Sequence, residues 1–136
     1  MVFDVGLNQL TGGLPTGIFQ ATNLEQLSIG GNADVSGSIS PGFSNFTSLK
    51  ALDLGLSRFS GTLPPFLFDF VELTSLALGG ARFSGTLSDD FAKLDRLSEL
   101  YLNNNTFSGE IPAGFDALTR LSELILRVCS VCASQI

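Results

Sequence analysis

Apolar residues recur along this chain in a frame much longer than any helical or strand period. In LSELYLNNNTFSGEIP, leucines stand at Leu97, Leu100 and Leu102, followed by Asn105, Phe107, the pair Ser108-Gly109, Ile111 and Pro112. The frame returns 24 residues earlier as Leu73, Leu76, Leu78, Phe83, Ser84-Gly85 and Leu87. It returns again as Leu49, Leu52, Leu54, Phe59, Ser60-Gly61, Leu63 and Pro64. A step of 25 gives Leu24, Leu27, Ile29, Asn32, Val35, Ser36-Gly37 and Ile39. The first copy lacks its head (Phe3, Val5, Asn8, Leu10, Thr11-Gly12, Leu14, Pro15) and the last lacks its tail (Leu121, Leu124, Leu126, Cys129). Self-similarity at a fixed period of this size is the mark of a solenoid, in which each coil buries its apolar face against its neighbours.

Each part of the frame predicts an element. In L-x-x-L-x-L the last two leucines are two apart, which is strand spacing, so Leu100 and Leu102 face inward and Tyr101 outward. Copies in register stack these strands into a parallel sheet, with about 18 residues left in each period for the crossover. The ninth position carries Asn8, Asn32, Ser57, Ala81, Asn105 and Cys129. A buried amide there can satisfy backbone groups of adjacent coils, so the gaps at Ser57 and Ala81 predict looser attachment of the central coils. The recurring glycine after Ser or Thr implies a backbone position that is strained for other residues or close to a neighbour. Pro15, Pro64 and Pro112 fix the turn that follows. Apolar pairs three apart, Phe43 and Phe46, Phe91 and Leu94, Phe115 and Leu118, predict a single helical or 3₁₀ turn on the far side. The phenylalanine-rich FLFDFVE predicts either a bulky core there or a partly exposed patch near Phe66 and Phe68. No capping segment is evident at either end.

Composition narrows the function. The chain has a net charge of -6 with seven Lys and Arg, none clustered, which argues against nucleic acid or an anionic membrane as partner. There is no histidine, which removes His-based metal sites and catalytic triads. No apolar run reaches the length of a membrane span, and the N-terminus opens inside a repeat rather than on a signal peptide.

The repeat resembles the plant-type leucine-rich repeat, L-x-x-L-x-L-x-x-N-x-L-S-G-x-I-P, met in ectodomains of receptor-like kinases and receptor-like proteins and in polygalacturonase-inhibitor-like proteins. The resemblance implies an α/β architecture: a right-handed solenoid with a parallel sheet on its concave face and short 3₁₀ or helical segments on the convex side. The array is expected over residues 1–128, with full repeats from 24, 49, 73 and 97 and a partial one from 121, and residues 129–136 as a non-repeat tail. Members bind a protein, peptide or glycan through the concave face, or pair with a co-receptor.

Outward strand positions would then meet a ligand. The first coils are bland there, with Gly6, Gly30, Gly55 and Gly79 in one column. Relief comes from Asp53 and, in the last coils, from Glu99, Tyr101, Asn103, Glu123 and Arg127, so a binding patch is predicted on these residues. The plain alternative is that they are solvated strand positions. Asn45-Phe46-Thr47 and Asn104-Asn105-Thr106 match the N-glycosylation sequon, Asn45 on the convex side and Asn104 at the concave rim. Cys129 and Cys132 lack the partners of a zinc or redox site; Cys129 falls on the asparagine-ladder position beside Asn8, Asn32 and Asn105. Asp89, Asp90 and Asp95 are convex and have no partner base, so neither metal nor catalysis is expected.

The residues therefore predict a module of molecular recognition, without catalysis, cofactor or direct membrane insertion. The leading expectation is a fragment of a receptor-like or secreted protein, extracellular or at the cell surface when full length, that binds a protein or peptide. The alternatives are an extracellular inhibitor or structural protein, and the ectodomain of a receptor whose kinase lies outside this chain.

Overall fold

The structure, a computed structural model, describes residues 1–126. Its strands in chain order are β1 Val2–Asp4, β2 Thr11–Gly12, β3 Gln26–Ser28, β4 Asp34–Gly37, β5 Ala51–Asp53, β6 Arg58–Gly61, β7 Ser75–Ala77, β8 Arg82–Thr86, β9 Glu99–Tyr101, β10 Thr106–Ser108 and β11 Glu123–Ile125. The odd-numbered strands form a six-stranded parallel sheet in the order β1-β3-β5-β7-β9-β11. Its register puts each residue beside its counterpart one coil on, Leu27 against Leu52 and Leu76 against Leu100. The central residue of each inner strand is a leucine no more than 1% exposed, so alternation alone turns its two neighbours to the concave surface.

The sequence reading did not include the second sheet, β10-β8-β6-β4-β2, on the flank of the solenoid. It is built from the segments around each Ser-Gly or Thr-Gly pair, and Val35, Phe59, Phe83 and Phe107 point from it into the core. On the convex side each coil makes one 3₁₀ turn, at Thr16–Gln20, Pro41–Asn45, Pro65–Asp69, Asp89–Lys93 and Ala113–Ala117. Proline stands at the entry of four of them; at the fourth, the Ser88 hydroxyl accepts from the Asp90 amide (3.0 Å) instead. FLFDFVE is core rather than patch: Leu67, Phe68 and Phe70 are buried and Phe66 partly so. Phe91 links three coils, meeting Phe68 and Phe115 edge to face at centroid distances of 5.0 and 4.9 Å.

The ninth position ties the strand exits together. Asn32 is fully buried; its amide donates to the Ile29 carbonyl of its own coil (2.8 Å) and the Val5 carbonyl of the preceding one (3.0 Å), and its oxygen accepts from Leu10 N–H (3.0 Å). Asn105 repeats the arrangement with Leu102, Leu78 and Phe83. Asn8 is exposed and bonds only within its own coil, to Val5 and Gly6. Ser57 likewise reaches only its own coil, donating to Leu54 O (2.6 Å) and accepting from Phe59 N–H (3.2 Å).

Cross-coil bonds are therefore missing at Ser57 and Ala81, yet the amides they would have served are satisfied. The coil before Ser57 is the one with the extra residue, and its Val35 N–H turns back to Asn32 O (3.0 Å). The coil before Ala81 uses the Ser57 hydroxyl. The ladder lapses where the preceding coil supplies its own acceptor.

Candidate functional site

The concave face carries three outward positions per coil, two on the strand and one just after it. In the first four coils the third position is glycine, and the structure gives this a steric reason. A side chain at Gly30 would collide with the Asp53 carboxylate, and one at Gly79 would stand 2.5 Å from Asn103 Oδ1. Gly30 and Gly79 are thus floors across which polar side chains of the next coil, Asp53 and Asn103, lie.

Asp53 is half-buried on this floor, and Gly55 N–H donates to its Oδ1 (2.9 Å). Burial pushes its carboxyl above the usual aspartate range, with Asp4 adding to the effect, while the bonds from Gly55 and Ser28 pull the other way. At the C-terminal end, Glu99 and Glu123 are register partners on neighbouring strands, a pairing that is repulsive between like charges. Each is held by a hydroxyl: Ser75 donates to Glu99 (2.9 Å) and Tyr101 donates to Glu123 (2.6 Å). The bond to Glu123, then loss of solvent, then the charges of Glu123 and Glu99, push the Tyr101 phenol up to about 12. The structure thus brings Glu99, Tyr101, Asn103 and Glu123 together over the last coils. Asp53 sits apart, two coils earlier, while Arg127, Cys129 and Cys132 lie outside the described residues.

Among the described residues no Lys or Arg occupies these concave positions, and Asp4, Asp53, Glu99 and Glu123 make the face acidic. Lys50 stands at its edge, engaged with Glu25 (2.7 Å). Asn104 is exposed at the rim, and Asn45 is exposed on the convex side with its amide donating to Phe19 O (3.1 Å). Asp89 accepts from Gly114 N–H (2.9 Å) and Asp90 pairs with Lys93 (2.8 Å). Among the described residues there is no grouping of three or more His, Cys, Asp or Glu fit to hold a metal ion, and no helix is long and apolar enough to cross a membrane.

Sequence reasoning missed one column. Immediately after the glycine floor, Leu7, Gly31, Leu56, Gly80 and Asn104 all take left-handed backbone, at φ 54, 75, 48, 70 and 55°. The signal was present, since two glycines and an asparagine share that column.

Residues 96–118 match the family model described as Leucine Rich Repeat. The fold superposes on the ectodomain of the plant membrane receptor kinase GASSHO1/SCHENGEN3 from Arabidopsis thaliana, in complex with CASPARIAN STRIP INTEGRITY FACTOR 2, with a TM-score of 0.83. That match is 31% identical and covers 90% of this chain and 15% of that one. The chain is a leucine-rich-repeat protein of the plant type. It is similar also to PEPR1 in the PEPR1-AtPEP1 structure (29% identity, 90% of this chain, 17% of that one, TM-score 0.83). A plant ice-binding protein shares the fold as well (27% identity, 88% of this chain, 39% of that one, TM-score 0.81). The chain thus spans only 15% and 17% of the GASSHO1/SCHENGEN3 and PEPR1 chains that it matches. No curated protein matches the chain.

Proposed function

We propose that this leucine-rich-repeat chain is part of an extracellular or cell-surface recognition protein that holds a protein or peptide on its concave face. The observation that carries the reading is the patch of Glu99, Tyr101, Asn103 and Glu123. Tyr101 is the one tyrosine of the chain, set among carboxylates and held at a fixed angle by Glu123. A rigid aromatic anchor with a polar rim is the composition of an interface centre. Similarity to ectodomains solved with bound peptides supports a peptide ligand or a co-receptor as partner. A photo-crosslinking residue in place of Tyr101 should capture the partner, whereas the same residue in place of the exposed convex Asp69 should not. Equal capture from both positions would remove the concave face from the account. An extracellular setting further predicts that native protein gains gel mobility on glycosidase treatment, and that Asn45→Gln abolishes most of the change.

A second reading is a secreted repeat protein that acts as a surface and transmits no signal. The flank sheet favours it, because its register sets Thr106 beside Ser84 and Ser108 beside Thr86, pairing hydroxyls across neighbouring strands. Its similarity to a plant ice-binding protein makes ice the first surface to test. Ice grains that coarsen with the protein as fast as without it would dismiss that version.

A further inference from the structure

Coils one and three of the array match each other more closely at the concave rim than either matches the coil between them. Asp4-Val5-Gly6-Leu7 recurs as Asp53-Leu54-Gly55-Leu56, while the second and fourth coils read Ser28-Ile29-Gly30-Gly31 and Ala77-Leu78-Gly79-Gly80. The alternation is interlocked in space. Leu7 lies over Gly31, where an added Cβ would stand 2.6 Å from its Cδ2, and Leu56 lies over Gly80 at 2.7 Å. The Asp53 carboxylate covers Gly30 from the other side. The glycine pair of an even coil thus seats the leucine of the coil before it, and at Gly30 also the aspartate of the coil after it.

The two units share an unusual surface. Leu7 and Leu56 hold left-handed backbone that leucine rarely adopts, and they are 85% and 62% exposed. Asp4 accepts from Gly6 N–H (3.0 Å), Asp53 accepts from Gly55 N–H (2.9 Å) and from the Ser28 hydroxyl, and neither is in an ion pair among the described residues. Each unit therefore offers an apolar side chain and a carboxylate with no cation on it. The units lie two strands apart, about 9.5 Å at the usual strand spacing.

That spacing selects a conformation. Three residues of polyproline II advance about 9.3 Å and complete one turn, so residues i and i+3 present the same face at the right interval. In a β-strand, residues three apart point to opposite faces. In an α-helix, an advance of about 9 Å takes roughly six residues, which is out of phase with 3.6 per turn.

We infer that the two Asp–Leu units form a docking strip for a basic, proline-rich segment of polypeptide in polyproline II form. The segment lies along the solenoid axis, with one cation and one apolar residue per turn on the two faces turned to the sheet. The inference shares with the recognition reading the premise that the concave side holds a chain, but it rests on the first three coils rather than the last two.

The test is fluorescence anisotropy of the full chain with a short labelled peptide of repeated Lys-Leu-Pro. Two comparison peptides are used: one of the same composition in an order without the three-residue period, and one of repeated Glu-Leu-Pro. Two variant pairs copy neighbouring coils and so keep a backbone the fold already uses. Leu7→Gly with Leu56→Gly reproduces Gly31 and Gly80, and Asp4→Ser with Asp53→Ala reproduces Ser28 and Ala77. Wild type should bind the repeated basic peptide about 10-fold or more tightly than the reordered one, and should leave the acidic one unbound. Each variant pair should weaken binding by about 10-fold, and the aspartate pair should also remove its salt dependence. Absence of binding by wild type, equal binding of the reordered peptide, or wild-type affinity in both variant pairs would overturn the inference. The C-terminal patch is judged separately by crosslinking from position 101, so either reading can fail alone.

Discussion

Tyr101 is where a single side chain reports on the site. Its phenol is raised from the ordinary 10.0 to about 12, first by donating to Glu123, and it is the chain's sole tyrosine. Spectrophotometric titration should therefore show phenolate forming near pH 12 in wild type and nearer pH 10 in Glu123→Gln. The unfolded tyrosine ionises first, so this contribution to stability is present below pH 10 and is lost as pH rises toward 12. Asp53 follows the same sign in a lower pH window. Its folded carboxyl is raised from 3.8, so the stability linked to it is present below that value and is lost as pH rises through the folded pKa. Asp53→Asn keeps an oxygen for Gly55 N–H and removes the desolvated charge. The variant should melt above wild type at pH 7, with the gap closing below pH 4 in parallel melts. An Asp53→Asn protein that melts lower at pH 7 would mean that the carboxylate is better solvated than its burial implies.

At the scale of the element, the strand exits decide how firmly coils are joined. Asn32→Ala strips the side-chain partner from Ile29 O and Leu10 N–H, leaves Val5 O to Asn8 alone, and should lose about 1–3 kcal/mol in denaturant unfolding. Asn8→Ala touches only exposed bonds in its own coil and should lose well under 1 kcal/mol. Equal losses would show that the cross-coil bonds add nothing. The concave strands and convex turns were legible because leucine and phenylalanine recur there at strand and 3₁₀ spacing. The flank sheet was not, because its strands are two to five residues long and centre on a Ser-Gly or Thr-Gly pair with no apolar alternation. The exchange of acceptors around Ser57 was hidden for another reason: it depends on one extra residue in the preceding coil, which bends Val35 N–H back to Asn32. At the site, the patch of Glu99, Tyr101 and Glu123 could be named from outward positions. The Leu7 and Leu56 units could not, since exposed left-handed leucine contradicts what that residue ordinarily signals.

Across the whole molecule, energy is shared between neighbouring coils rather than gathered in one centre. Phe91 shows how far one side chain reaches, since its ring meets Phe68 in the coil before and Phe115 in the coil after. Phe91→Ala should cost about 3–5 kcal/mol and lower amide protection in all three coils together, which hydrogen exchange would resolve coil by coil. The same architecture leaves one broad acidic face with its relief at the C-terminal end, and recognition by that face is the claim on which the functional account stands. The most direct test is retention of extracellular peptides on immobilised protein, identified by mass spectrometry. Wild type is set beside Glu99→Ala with Tyr101→Ala and beside the convex Asp95→Ala. The account predicts a species held by wild type and by Asp95→Ala and lost by about 10-fold or more from the double variant. Retention of the same set by all three proteins would contradict it.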